Sequence, residues 1–306
     1  MLLIIQALIL GLLQGLTEFL PVSSSGHLQG VPYLLGWESG GNLAFDVMVH
    51  AGTLVAVIWY FRMDLWQLLT GALGIGTDDP AERRRAWLLI GLLALGTVPA
   101  AGAGLMFEDV FAAAFRSPRL VAMFLYLTAL LLWGAERLRS ARVRRVTDGM
   151  VAAGGDADGS TGLPEDLAAD DIGRDVTTLT ARDAIGIGAA QALAIFPGVS
   201  RSGATIAAGM ALGLSRATAA RFSFLLSIPI ITGALVFKLS DLGTPEPGTL
   251  PFGPVEITVG VIAAAASGYW AIRYLIALLE RRDLLGFAVY VTVFATVLLG
   301  ATFVRG

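Results

Sequence analysis

Apolar residues run along this chain in long uncharged blocks, broken by short polar or basic intervals. Ala86–Met106, Leu120–Ala135 and Leu284–Val304 contain no charged residue. Helices of about 20 apolar residues match the hydrocarbon thickness of a bilayer. The pattern predicts membrane-crossing helices at Ala44–Phe61, Ala86–Met106, Arg119–Ala135, Ala219–Phe237, Val255–Ile276 and Leu284–Phe303. Two further stretches do not read as simple spans. Leu2–Leu20 runs into Pro21 and a Ser/Gly cluster, and Ala184–Phe196 has 13 residues before Pro197-Gly198. Each is expected to form a re-entrant helical hairpin. The predicted fold class is therefore an all-α polytopic membrane protein, with six transmembrane helices plus two re-entrant hairpins.

Composition strengthens this picture. The chain is 56% apolar and only 15% charged, against about 25% charged in soluble domains. It reads as one membrane domain, residues 1–306. The N-terminus has no basic n-region, so the first apolar stretch is expected to be retained and not cleaved. There is no cysteine, which excludes disulfides and thiolate metal sites. A net charge of −3 gives no footing for a nucleic-acid partner. Arg outnumbers Lys twenty to one, and Thr147–Asp183 carries nine acidic and two basic residues. A high-salt or high-GC origin would explain both features.

Basic residues also set the topology. Arg62 with Arg83–Arg85, Arg137–Arg145, and Arg281 with Arg282 mark three loops as cytoplasmic. The alternation is consistent if both short segments are hairpins, which leaves both termini outside. Gly149–Asp183 is polar and acidic and reads as a long cytoplasmic loop.

The chain repeats itself. QGLTEFLPVSSSG (Gln14–Gly26) aligns without a gap on QALAIFPGVSRSG (Gln191–Gly203), with seven of thirteen positions identical at an offset of 177 residues. An odd number of predicted spans separates the copies, so they enter the membrane in opposite directions. This is an inverted-topology repeat: repeat one 1–136, an acidic loop 137–183, and repeat two 184–306. Broken helices meeting near the midplane are a known plan of this kind.

Both copies place Pro, Gly and Ser inside apolar sequence. Irregular backbone survives at membrane depth only where it lines a cavity. Helix N-termini following Ser23–Gly26 and Ser200–Gly203 suit an anion. Glu18, His27 and Arg201 stand beside the breaks, and an ionisable group at that depth costs at least about 2.5 kcal/mol. Taken singly, the serines read as caps, Arg201 as a snorkelling side chain, and Glu18 with Arg201 as a structural ion pair. Their joint placement at matching points of two repeats outweighs those readings. Arg201 offers a fork for phosphate. Glu18 and His27 can handle protons, and Ser24 can be a nucleophile or a ligand. Ser23, Ser200, Ser202 and Thr205 can donate to phosphate oxygens. This set fits phosphoryl transfer. His50, on an apolar span, reads as a packed or hydrogen-bonded residue.

At these residues the chain resembles the undecaprenyl-pyrophosphate phosphatase family of bacitracin-resistance proteins. The Glu/Gln-x-x-x-Glu motif stands as Gln14–Glu18, P-V-S-S-S-G-H as Pro21–His27, and P-G-x-S-R-S-G-A-T as Pro197–Thr205. F-S-F-L-L-x-x-P stands at Phe222–Pro229. The resemblance implies a plasma-membrane enzyme with its site facing outside, which hydrolyses a polyprenyl diphosphate to the monophosphate and recycles the lipid carrier for surface glycans. It implies a divalent cation, magnesium or calcium, with Glu18 as a metal ligand. It makes Glu18, Ser24, His27 and Arg201 the catalytic set, with serine, histidine or water as the attacking group. Gln14, Ser23, Ser25, Ser200, Ser202 and Thr205 are expected to bind substrate. Many members carry Glu where this chain has Gln14, so a two-carboxylate clamp is missing here. A homodimer is compatible with this reading. The rival function is a transporter or flippase that binds the lipid phosphate without hydrolysis.

Overall fold

The computed structural model describes residues 1–37, 43–76, 79–152, 173–238 and 252–305. Among them the chain is all-helical apart from one isolated bridge between Arg174 and Leu214. The α-helices are α1 (Leu2–Phe19), α2 (Ser24–Leu35), α3 (Leu43–Tyr60), α4 (Arg62–Leu73), α5 (Pro80–Met106), α6 (Glu108–Phe115), α7 (Pro118–Ala152), α8 (Ala181–Leu193), α9 (Arg201–Ala211), α10 (Arg216–Lys238), α11 (Pro254–Leu279) and α12 (Leu285–Val304). Pro80, Pro118 and Pro254 open their helices, where the missing N–H costs nothing.

Six of these helices (α1, α5, α7, α10, α11 and α12) are long and apolar enough to cross a membrane, and α3 with α4 forms a further pair bent by 69°. The sequence-based spans agree with α3, α5, α7, α10, α11 and α12 in position. Three features differ from expectation. α1 is an unbroken 18-residue helix, long enough to span. It ends at Phe19 because Leu20 precedes Pro21 and takes extended backbone. The predicted span Ala44–Phe61 continues, after the bend at Phe61, into α4. There Arg62 donates to the Trp59 carbonyl at 2.9 Å and stacks over the Trp59 ring. α7 runs 35 residues and carries the Arg-rich stretch beyond Ala135 as helix, since Arg, Leu and Ala are strong helix formers. Of the acidic loop, residues 153–172 lie outside the described residues.

Packing exchanges partners between the two halves. α1 and α3 lie on α11, whereas α8 and α10 lie on α5, and α7 packs along α12. The first contacts are backbone to backbone. A Cβ on Gly11 of α1 would stand 2.3 Å from the Gly260 carbonyl oxygen of α11. A Cβ on Gly188 of α8 would stand 2.3 Å from the Gly96 carbonyl oxygen of α5. Gly11 and Gly188 are related by the offset of the repeated motif. Small residues are what let membrane helices approach this closely.

The helix ends are matched in the same way. The last carbonyls of a helix have no partner within it. Arg142 of α7 donates to the Met210 and Ala211 carbonyls of α9, at 3.1 and 2.8 Å. Arg305 donates to the Tyr33 and Leu34 carbonyls of α2, the latter at 2.9 Å. The four capped carbonyls obey the same offset. Deeper in, Arg216 of α10 forks onto Glu136 of α7 at 2.9 and 2.7 Å, and Glu136 also accepts the Leu284 N–H ahead of α12. α8 starts with a reciprocal cap between Thr180 and Asp183, and Arg174 binds Asp183 at 2.6 Å. Burial pushes the Asp183 carboxyl up, but the bonds from Arg174 and Thr180 outweigh it and hold it below its ordinary 3.8.

Gly188→Leu should destabilise the protein in detergent by more than the ~1–3 kcal/mol of ordinary overpacking, and so lower its thermal midpoint, because backbone and not a side chain blocks the way. An unchanged midpoint would contradict the contact. Asp183 contributes stability in full above pH 3.8 and loses it as pH falls through its lowered value. The acid limb of a thermal-stability profile should therefore flatten in Asp183→Asn.

Candidate active site

Two broken segments build the site. After α1, the chain turns through Pro21 and Val22 to Ser23, the one non-glycine residue with positive φ (75°) among those described. Ser23 caps α2 by accepting the Gly26 N–H at 3.2 Å. Ser200 caps α9 in the same way, accepting the Gly203 N–H at 3.0 Å. The segments then tie to each other. Gly198 N–H donates to Ser25 Oγ at 3.3 Å, and Ser202 Oγ donates to the Leu20 carbonyl at 3.1 Å. Thr128 of α7 accepts the Ser200 N–H and donates to the Gly198 carbonyl, both at 2.9 Å. Gly198 is required there: its φ is 99° and a Cβ would lie 2.3 Å from the Val121 carbonyl oxygen.

This frame puts Ser24 and Arg201 at the first positions of α2 and α9, on either side of Glu18. Arg201 Nη2 donates to Glu18 Oε1 at 2.8 Å. Ser24 Oγ donates to Glu18 Oε2 at 2.7 Å, and Gln14 Nε2, one turn back on α1, donates to the same oxygen at 3.1 Å. Glu18 is 7% exposed, so its charge is compensated almost wholly by these partners. The other Arg201 nitrogen, Nη1, donates to the Ser223 carbonyl of α10 at 3.2 Å. Arg201 keeps about an eighth of its side chain exposed. The arrangement places a hydroxyl on a carboxylate and a guanidinium beside both, which can activate the hydroxyl and stabilise a phosphoryl group.

The other expected site residues sit differently. His27 is buried, and its nitrogens turn to Ser23 O and Tyr290 Oη, both at 2.8 Å. A carbonyl can only accept, so Nδ1 carries the proton and, in the neutral ring, Nε2 accepts from the Tyr290 hydroxyl. The ring stacks on Phe294 with centroids 4.2 Å apart. Ser23, Ser200, Ser202 and Thr205 are buried and spend their hydroxyls on caps and internal bonds. They hold the frame, leaving Ser24, Ser25 and Arg201 as the partly open polar groups of the two motifs.

Several contributors were missed from sequence. His50 of α3 places Nε2 3.7 Å from Glu18 Oε2, while Nδ1 bonds the Asp46 carbonyl at 2.7 Å. Its hydrogen bond was expected; its place beside Glu18 was not. Its signal was available, since it is one of two histidines and lies at membrane depth. Ser223 stands in the F-S-F-L-L-x-x-P motif without having been singled out; Tyr290 and Thr128 carry no such signal, being ordinary residues of apolar helices. Ser223 Oγ lies 2.6 Å from Thr205 Oγ1.

The divalent cation can be tested against the donors present. Among the described residues, no group of three or more His, Asp or Glu gathers. The site offers Glu18 Oε2 and His50 Nε2; Gln14 turns its nitrogen to Glu18, and its amide oxygen is buried without a hydrogen-bond partner. Such a set fits an ion that takes few protein ligands and completes its shell with water or phosphate.

Comparison with known proteins gives the chain's family and its relatives. The family profile described as "Bacitracin resistance protein BacA" matches residues 7–297. "Undecaprenyl-diphosphatase 2" of Stutzerimonas stutzeri is 41% identical over 298 residues, covering 97% of both chains. "Undecaprenyl-diphosphatase" of Gemmatimonas aurantiaca is 40% identical, over 95% of this chain and 97% of its own. That of Methanobrevibacter smithii is 39% identical, over 94% and 93% respectively.

Tyr290→Phe leaves His27 Nε2 buried without a donor, which costs about 1–3 kcal/mol. The thermal midpoint of the purified protein should fall accordingly. A midpoint equal to wild type would mean that the hydroxyl is not the partner of His27.

Proposed function

The chain belongs to the bacitracin resistance protein BacA family, and we propose that it is a membrane hydrolase that converts undecaprenyl diphosphate to undecaprenyl phosphate and inorganic phosphate. The observation that carries the reading is the Ser24–Glu18–Arg201 contact, assembled from two motifs 177 residues apart in register. Ser24 Oγ bonds to the terminal phosphorus as the bridging P–O bond breaks, and undecaprenyl phosphate leaves. The Ser24 proton passes to Glu18 Oε2, already its acceptor. Arg201 holds charge on the transferring group, with its fork fixed by Glu18 and the Ser223 carbonyl. Water then cleaves the phosphoserine and releases phosphate. A divalent cation, when bound, would supply positive charge to the diphosphate, and Glu18 would hold it. His27 acts from outside this contact, fixing the Ser23 turn that aims Ser24.

The inverted repeat is part of this proposal. It is supported by the exchange of partners between halves and by the matched arginine caps. The site is placed toward the outer face of the plasma membrane. The basic loops support that orientation, since the positive clusters mark the cytoplasmic side.

The test is phosphate release from undecaprenyl diphosphate by the purified chain in detergent. Arg201→Ala should lose about 10³-fold or more, as removal of a charge-stabilising arginine does. Glu18→Gln should lose about 10²–10⁴-fold as removal of a base. Wild-type turnover in either variant would sink the site. If the wild type binds the lipid and releases no phosphate under any cation condition, the transport reading takes its place. Full turnover in Ser24→Ala would transfer the attack to water.

A further inference from the structure

α3 and α11 meet backbone to backbone at Gly52, where a Cβ would stand 2.5 Å from the Val261 carbonyl oxygen. One turn further along, the facing residues are still small, Ala56 on α3 with Ala265 and Ala266 on α11. Trp59, Tyr269 and Trp270 stand around them. Alanines between such large rings leave a gap, here an apolar slot of about 240 Å³. Trp59 and Trp270 are each 61% exposed, so the slot opens outward between the helices. It is shaped for a chain of methylenes.

Cations gather at this slot. The Arg62 guanidinium lies 4.9 Å from the Trp59 ring centre, and that of Arg273 lies 5.6 Å from the Trp270 ring centre. Arg221 of α10 joins them: with Arg273 it lies within electrostatic range of Tyr60, whose ring stands 5.7 Å from that of Tyr269. Asp64 is the one carboxylate acting on Tyr60 in the same way, so three positive charges stand against one negative. All three arginines are exposed, and among the described residues none pairs with a carboxylate. The backbone sets their depth. At Phe61 the chain bends by 69° into α4, which exposes Met63, Trp66, Leu69 and Leu73 along one stripe. A helix of that kind lies in the plane of the membrane interface. Arg62 is its first residue and therefore stands at headgroup level. Snorkelling accounts for a single arginine reaching water. Three of them around one apolar slot, two laid on the rings that wall it, match the phosphate of a lipid whose chain fills the slot.

We propose that the slot between α3 and α11 binds one anionic glycerophospholipid of the bilayer, with an acyl chain between Trp59 and Trp270 and its phosphate held by Arg62, Arg221 and Arg273. Basic pockets between membrane helices recognise anionic head groups by this chemistry. A zwitterionic lipid brings an ammonium group that the same arginines repel, so the slot selects for net negative charge. In the orientation given above it belongs to the cytoplasmic leaflet. The slot is separate from the Ser24–Glu18–Arg201 contact but backs onto its scaffold. A Cβ on Gly268 of α11 would stand 3.1 Å from Phe19 and 3.2 Å from Ala56, so one glycine separates the slot from the end of α1. Lipid binding is a property of the chain and does not depend on the phosphatase reading.

The probes are palmitoyl-oleoyl phosphatidylglycerol and phosphatidylcholine, which share their chains and differ in charge. Delipidated full-length protein in detergent is titrated with each, bound lipid is counted by native mass spectrometry, and the thermal midpoint is followed in parallel. One phosphatidylglycerol should bind about tenfold or more tighter than phosphatidylcholine and raise the midpoint. Arg62→Gln combined with Arg273→Gln should weaken phosphatidylglycerol about 10–30-fold, at roughly fivefold per arginine. Ala266→Phe, which fills the slot from an exposed position, should abolish retention of the lipid. Arg281→Gln combined with Arg282→Gln, on the loop beyond α11, should leave binding unchanged. Each of these variants should release phosphate in detergent at the wild-type rate, which keeps the lipid site apart from the catalytic one. Equal binding of the two lipids would overturn the proposal, as would equal losses in the two double-arginine variants, which would assign the effect to surface charge at large. Selective displacement of phosphatidylglycerol by undecaprenyl phosphate at equal concentration would give the slot to the substrate lipid instead. A dimer that Ala266→Phe dissociates would give it to a second copy of the chain.

Discussion

A carboxylate at membrane depth needs a counter-charge, and Glu18 finds its own on the other half of the chain. The Glu18–Arg201 pair spans 183 residues of sequence. Neither charge is tolerable alone in a low-dielectric interior, where breaking a buried pair costs about 3–5 kcal/mol. The pair therefore draws the two broken segments together and keeps them in one register. The remaining site contacts follow from that register. Ser24 reaches the second oxygen of Glu18, and bonds from Gly198 to Ser25 and from Ser202 to Leu20 tie the two breaks together. Thr128 satisfies backbone groups that the second break leaves over.

Much of this was legible in the sequence because membranes make polar residues conspicuous. Glu18, Ser24 and Arg201 stand out in apolar surroundings, and the repeat shows that two such places belong together. The long helices were legible for the same reason. The role of His27 was not. Sequence places it next to the serines, but only the fold shows that Tyr290 and Ser23 occupy both of its nitrogens. His50 is visible in sequence as a hydrogen-bonded residue of an apolar helix, but helical periodicity does not say that Glu18 is its neighbour. The serines and Thr205 were read as phosphate ligands from their hydroxyls. In the fold those hydroxyls go to the backbone, since a helix break at this depth must first satisfy itself. The end of α7 was misplaced because a hydropathy pattern marks where apolar sequence stops, not where helix stops.

The duplication extends beyond the motif that revealed it. Gly11 and Gly188 make the same close approach, and Arg142 and Arg305 make the same cap. Yet the two halves differ at the chemical positions, with Ser24 in one copy and Arg201 in the other. The packing and capping contacts thus occur in matched pairs, while the Ser24–Glu18 and Arg201–Glu18 bonds each occur once among the described residues.

The cap on α2 has a consequence for how the protein is made. Arg305 reaches Tyr33 across 272 residues. A ribosome adding about 5–20 residues per second needs on the order of tens of seconds to cover that distance. During that interval α2 has emerged with its final carbonyls unmet, and Glu18 waits most of that time for Arg201. Glu18 is thus held without its counter-charge until Arg201 is made, and the end of α2 without its cap until Arg305 is.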